Sequence, residues 1–125
     1  MAADTDRMIF TGSGTEANNL AIFGLIGGRD APPGQIILSL IEHPSISAAG
    51  DFLARKGWRV DRVGVDSDGV VRLDQFQALL TTQTRLVATM LGNNETGVLQ
   101  PVAKMVAMCR EKKVPFHTDA AQVAG

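Results

Sequence analysis

The chain alternates two kinds of apolar pattern. Short β-rich runs are separated by segments whose apolar residues recur at helical spacing. Met8-Ile9-Phe10-Thr11 reads as the end of a strand, followed by Gly12-Ser13-Gly14 and a helix from Thr15 to about Leu25. Gly27, Gly28, Pro32, Pro33 and Gly34 break the pattern. Gln35 to Leu40 is a strand of the fully buried type. Pro44 suits the first turn of a helix, which runs to about Lys56 and ends at Gly57. Trp58 to Val65 alternates as a strand, and Asp66-Ser67-Asp68-Gly69 is a turn. Leu73 to Leu80 is a short helix and Thr84 to Leu91 a β-branched, apolar strand. A loop from Gly92 to Gln100 leads to a helix opened by Pro101, which continues to about Lys113. Val114 to Thr118 is a last short strand, reaching Asp119.

Strand-helix alternation of this kind predicts an α/β fold, a mostly parallel sheet with flanking helices. Ligands in such sheets bind beyond the carboxyl ends of the strands. Attention therefore falls on the post-strand loops, and four of them hold unusual residues: 12–16, 42–43, 92–97 and 119–122.

Composition narrows the function. The 125 residues suit a single domain or part of one. Lys+Arg is 12 and Asp+Glu 13, for a net charge of -1. No global basic field exists to hold nucleic acid or an anionic membrane, so any anion must be gripped locally. No apolar run approaches the ~20 residues of a membrane helix, and Met1 to Arg7 is polar. The single cysteine, Cys109, excludes an internal disulfide and fits a reducing, cytoplasmic setting. No metal site is expected.

Each loop has a chemical reading and a plain one. Gly12-Ser13-Gly14-Thr15 lies where a strand gives way to a helix. Glycines admit a close ligand, and the helix start offers free N–H groups, so this is a sound phosphate cradle. It is also a sound tight turn with an N-cap, and it fits a loose dinucleotide fingerprint. His43 can stack on a planar ring or move a proton, or simply cap its helix. Asn93-Asn94-Glu95-Thr96-Gly97 offers amides for a carboxylate or phenolic oxygen, or plain turn chemistry. Asp119 can hold a proton on a heteroaromatic nitrogen, or cap the following segment. Gln122 can donate to a ring oxygen. Taken together, the parts suit a phosphorylated pyridine.

Four segments also carry a family resemblance. Residues Phe10-Thr11-Gly12-Ser13-Gly14-Thr15-Glu16-Ala17-Asn18-Asn19-Leu20-Ala21 are similar to the phosphate-loop motif of class V aminotransferases. Glu42-His43-Pro44-Ser45 resembles their Glu-His-x-Ser segment. Asn93 to Gly97 resembles the Asn-Asn-Glu-x-Gly signature of cysteine desulfurases, and His117-Thr118-Asp119-Ala120-Ala121-Gln122 their His-x-Asp-Ala-x-Gln motif. The motifs occur in the family's order and spacing.

The resemblance implies an incomplete large domain of a homodimeric pyridoxal-phosphate (PLP)-dependent transferase, occupying residues 1–125. Its parent reaction is removal of sulfur from L-cysteine, giving L-alanine and a persulfide, for iron–sulfur or related sulfur transfer. Gly14 and Thr15 would bind the cofactor phosphate, and His43 would stack on the ring and act in catalysis. Asn94 would sit by the substrate carboxylate and the ring oxygen, Asp119 would pair with the pyridine nitrogen, and Gln122 would touch the phenolic oxygen. The family's Schiff-base lysine, its mobile cysteine, its small carboxyl-terminal domain and an amino-terminal segment are not found in this sequence. Cys109, set in a helix among Met105, Val106 and Met108, reads as a small hydrophobe. The expectation is a fragment without turnover of its own, prone to self-association through uncovered surfaces. The rivals are a fragment of another class V aminotransferase, a stand-alone ligand-binding or self-associating protein, and a nucleotide-binding module built on Gly12 to Gly14.

Overall fold

The structure is a computed structural model. It describes residues 8–11, 15–92 and 99–119, with the side chains of 18–92 and 99–118. The elements follow the predicted alternation: β1 (Met8–Thr11), α1 (Thr15–Leu25), β2 (Gln35–Ser39), α2 (Pro44–Arg55), β3 (Arg59–Val63), α3 (Leu73–Leu79), β4 (Thr84–Met90), α4 (Val102–Glu111) and β5 (Phe116–Asp119). The five strands form one sheet in the order β1-β5-β4-β2-β3. Every pairing of these strands is parallel.

β2 is buried at all five positions, as its unbroken Gln-Ile-Ile-Leu-Ser run requires of a strand covered on both faces. Alternate residues then serve opposite cores. Ile36 and Leu38 of β2, with Leu86 and Ala88 of β4, pack under α1 and α2 against Ile22, Ile26, Ile46 and Leu53. Ile37 and Val87 point the other way, into a core with Phe76 of α3, Met105 and Cys109 of α4, and Phe116 of β5. Thus α1 and α2 cover one face while α3 and α4 cover the other.

α2 lies unusually close to the sheet. A Cβ added at Gly50 would come within 2.7 Å of Leu38 Cδ1 and 3.4 Å of Val60 Cγ1, so a larger residue here would have to displace the buried Leu38 side chain. At the amino-terminal end, a buried polar cluster ties three strands. Thr84 Oγ1 donates to Gln35 Oε1 (2.6 Å), and Gln35 Nε2 donates to Asp61 Oδ2 (2.8 Å) and the Leu79 carbonyl (3.1 Å). The β2–β4 register shifts beside it, between Gln35 and Ile36. The outer strand β3 carries Arg59, Asp61 and Arg62, charges that discourage another strand from adding to that edge.

Candidate active site at the strand ends

The helices after β2 and β4 depart to opposite faces, although these two strands are neighbours. A crevice opens between such strands at their carboxyl ends. Glu42, three residues past β2, closes its floor. Its Oε2 accepts from the Met90 backbone N–H at 2.8 Å and from the Ser39 hydroxyl. Met90 is in register with Asp119 of β5, which is in register with Thr11 at the end of β1. Backbone pairing therefore lines up the ends of β1, β5 and β4, and Glu42 fastens the loop after β2 to that row.

His43 follows directly. It is the N-cap of α2: its Nδ1 accepts from the Ser45 backbone N–H at 3.1 Å, and Pro44 holds the first helical position. An imidazole in this role does what Ser or Asp usually does at an N-cap. The plain reading of His43 as a helix cap is thus correct, and it has a chemical consequence. With Nδ1 taken as acceptor, a neutral ring carries its proton on Nε2.

A second connection runs beneath the crevice. Ser45 Oγ lies 2.9 Å from His43 Nδ1, and Asn18 Nδ2 of α1 donates to Ser45 Oγ at 3.2 Å. Asn18 Oδ1 in turn lies 3.3 Å from Nε2 of His117, two residues before Asp119 on β5. Asn18, Ser45 and His117 are all buried. Two independent paths, one through Glu42 and Met90 and one through Ser45 and Asn18, bring the His43 loop and the end of β5 to the same place.

The loop after β4 is pinned at its base. Gly92 pairs with Leu99, and the Gln100 N–H donates to the Leu91 carbonyl at 2.8 Å. The Gln100 side chain accepts from the Val71 N–H (2.7 Å) and donates to the Gly69 carbonyl (2.9 Å). The two residues that flank 93–98, Gly92 and Leu99, are therefore held together.

Of the expected site residues, His43 is placed with its side chain. Thr15 begins α1 and Asp119 ends β5 as backbone positions, their side chains lying outside the description. Gly14, Asn94 and Gln122 lie outside the described residues altogether. Sequence reasoning quoted Asn18, Glu42 and Ser45 within its motifs but gave none of them a role of its own. One signal was available: a polar Asn18 within a helix is a poor helix former unless its side chain has a partner.

All four lysines, Lys56, Lys104, Lys112 and Lys113, are exposed. Cys109 is buried in α4, and desolvation pushes its thiol up to about 12 from 9.0. Such a thiol is protonated and inert at neutral pH. Among the described residues no group of three or more His, Cys, Asp or Glu could hold a metal, and no helix is long and apolar enough to cross a membrane.

Comparison with known proteins gives consistent results. The family described as aminotransferase class-V matches residues 1–125. The chain is 39% identical, over its whole length, to a mitochondrial cysteine desulfurase of Arthroderma benhamiae, of which it covers 25%. It is 38% identical over its whole length to the cysteine desulfurase IscS of Histophilus somni, covering 31% of that protein. Among solved structures, it superposes on SspA in complex with cysteine with a TM-score of 0.82 at 34% identity, covering 90% of this chain and 33% of that one. DndA from Streptomyces lividans gives 0.80 at 37% identity, covering 90% and 32%. The chain thus spans about a quarter to a third of the length of these relatives.

Proposed function

The chain belongs to the class-V aminotransferase family, and from that premise we propose that residues 1–125 are the cofactor-gripping part of a cysteine desulfurase large domain. The observation that carries the reading is the double link between the His43 loop and the end of β5, through Glu42–Met90 and through Ser45–Asn18–His117. It gives the post-strand loops a common floor.

The donor set suits pyridoxal 5'-phosphate. The Gly12-Ser13-Gly14 sequence that precedes α1 is of the residue type that can offer backbone N–H groups to a phosphate. The imidazole at 43 has a committed Nδ1 and so keeps Nε2–H and its ring face for a partner. A carboxylate residue type stands at position 119, at the end of β5. In this reading Gly14 and Thr15 hold the phosphate, and His43 stacks on the ring and moves a proton through Nε2. Asn94 receives the substrate carboxylate, Asp119 keeps the pyridine nitrogen protonated, and Gln122 donates to the phenolic oxygen. Bound there, the cofactor supplies an electron sink for the electrons released at the amino acid's Cα.

For the whole protein we assign removal of sulfur from L-cysteine, leaving L-alanine, with the sulfur passed to an enzyme thiol as a persulfide that serves iron–sulfur or related sulfur transfer. L-Cysteine as substrate is supported by the solved relative bound to cysteine. A homodimeric, cytoplasmic enzyme accords with this reading. The exposed lysines and the buried Cys109 fill neither the Schiff-base nor the sulfur-accepting role, so residues 1–125 alone bind cofactor without turning over.

The test is a PLP titration of the chain by absorbance. The expected outcome is saturable binding with an aldehyde-like spectrum, weakened by Asp119→Asn and by His43→Ala, with no sulfide released on adding L-cysteine. Absence of saturable binding, indifference to both substitutions, or robust sulfide release would each overturn the proposal.

A further inference from the structure

Asn18 and His117 lie in segments that resemble family motifs, yet the proposed chemistry gives neither a task. Asn18 is 1% exposed and His117 is fully buried. A buried asparagine in a helix is costly unless its amide is used at both ends. Here it is. Its Oδ1 can only accept, so His117 Nε2 donates to it across 3.3 Å. Its Nδ2 can only donate, so Ser45 Oγ accepts across 3.2 Å. The Ser45 hydroxyl proton is then free to point at His43 Nδ1, an acceptor 2.9 Å away. The Ser45 backbone N–H reaches the same nitrogen at 3.1 Å. A ring nitrogen that receives two donors cannot carry a proton itself.

We propose that Asn18 is a positioning residue: acting through Ser45, it holds the His43 ring in the tautomer protonated on Nε2 and fixes that ring relative to the strand bearing Asp119. The direction of the whole chain is set by the amide. Turned the other way, Asn18 would draw the Ser45 hydroxyl toward itself and leave Nδ1 only the backbone donor. Asn18 therefore decides how strongly Nε2–H is enforced on the His43 ring. The inference rests on the proposed function only in taking His43 as the imidazole at the cofactor; the tautomer exists without it.

The experiment uses the chain labelled with 15N-histidine, with long-range 1H–15N correlation spectra of the rings. The protein has two histidines, and His43→Gln assigns the pair. The expected result is an Nε2–H pattern for His43 in the unchanged chain. In Asn18→Asp, which cannot donate to Ser45, the Nε2–H to Nδ1–H ratio falls about fivefold, the worth of one ordinary hydrogen bond. Ser45→Ala gives a similar fall, while Ser47→Ala, on the same helix, leaves the pattern unchanged. If Asn18→Asp does not fold, Asn18→Ala takes its place, with the same fall expected, and Ser45→Ala reports the hydroxyl's part alone. A wild-type ring protonated on Nδ1, or an unchanged ratio in the folded variants, overturns the inference. PLP added to the same samples separates the two claims: a tautomer shift without cofactor binding removes the proposed function and leaves the positioning role standing.

Discussion

Replacing Glu42 by alanine tests whether the crevice floor is held by hydrogen bonds. The carboxylate accepts from the Met90 N–H at 2.8 Å and from the Ser39 hydroxyl, and both donor residues are buried. Hydrogen bonds to a charged group are worth about 1.5–3 kcal/mol each, and an orphaned buried donor costs about 1–3 kcal/mol. Glu42 itself is half-buried, so water entering the crevice recovers part of that. The expected cost of Glu42→Ala is about 2–4 kcal/mol. An unfolding entropy of about 2.1 cal/mol/K per residue over 125 residues converts this into a Tm drop of about 8–15 °C. Glu42→Gln keeps a carbonyl acceptor for Met90 and should cost only about 1 kcal/mol. Urea unfolding followed by the single, buried Trp58 reads both variants. The reasoning is wrong if Glu42→Ala stays within about 0.5 kcal/mol of the parent, or if the glutamine variant is as damaged as the alanine one.

Two further expectations concern the packing around the site. Gly50→Ala gains about 1 kcal/mol of helix propensity but drives a methyl within 2.7 Å of Leu38 Cδ1; overpacking of about 1–3 kcal/mol wins, and an increase in urea midpoint would contradict this. Cys109 should resist alkylation in the folded chain at pH 8 and react at the rate of global unfolding. Its folded value of about 12 stands above the 9.0 of an ordinary thiol, so the folded state holds the proton longer. The stability contributed by burying the neutral thiol is full below about pH 9 and is lost as pH climbs toward 12. The stability gap between the parent and Cys109→Ala should therefore narrow between pH 8 and 10.5, and a constant gap would refute the assignment.

Most of the fold could be read from the chain because its signals are local. The Ile36-Ile37-Leu38 run of β2, the proline at the first turn of α2 and the glycine with φ of 95° at position 57 each act within a few residues. The predicted limits differ from the observed ones by a residue or two, where ends fray: Trp58 is buried just before β3 and Val65 makes an isolated bridge beyond it. The strand order was not available in the same way. Placing β4 beside β2 depends on long-range pairing that no local pattern records. The same limit hid Glu42 and Asn18. Their partners, Met90 and His117, lie 48 and 99 residues away in sequence, so neither acceptor nor amide could be given a role from spacing. His43 was found because an imidazole after a strand is conspicuous, but its cap on α2 shows that the structural and chemical readings need not compete.

The strand order also explains which loops matter. The four loops singled out for chemistry follow β1, β2, β4 and β5, and in the sheet these are four adjacent strands, β1-β5-β4-β2. The loop passed over, at Asp66 to Gly69, follows β3 at the edge. A pocket for one small cofactor cannot span residues scattered along a sheet whose strands lie about 4.8 Å apart, so adjacency is a condition the assignment had to meet. The edge loop has a supporting task instead: the Gly69 carbonyl takes the Gln100 amide, and the Val71 N–H returns a bond to the same side chain. That bracket holds Gln100, next to the Leu99 that pairs with Gly92. An order that set β3 between β2 and β4 would have split the row and parted Glu42 from Met90, and with it the His43 loop from the strand that carries Asp119.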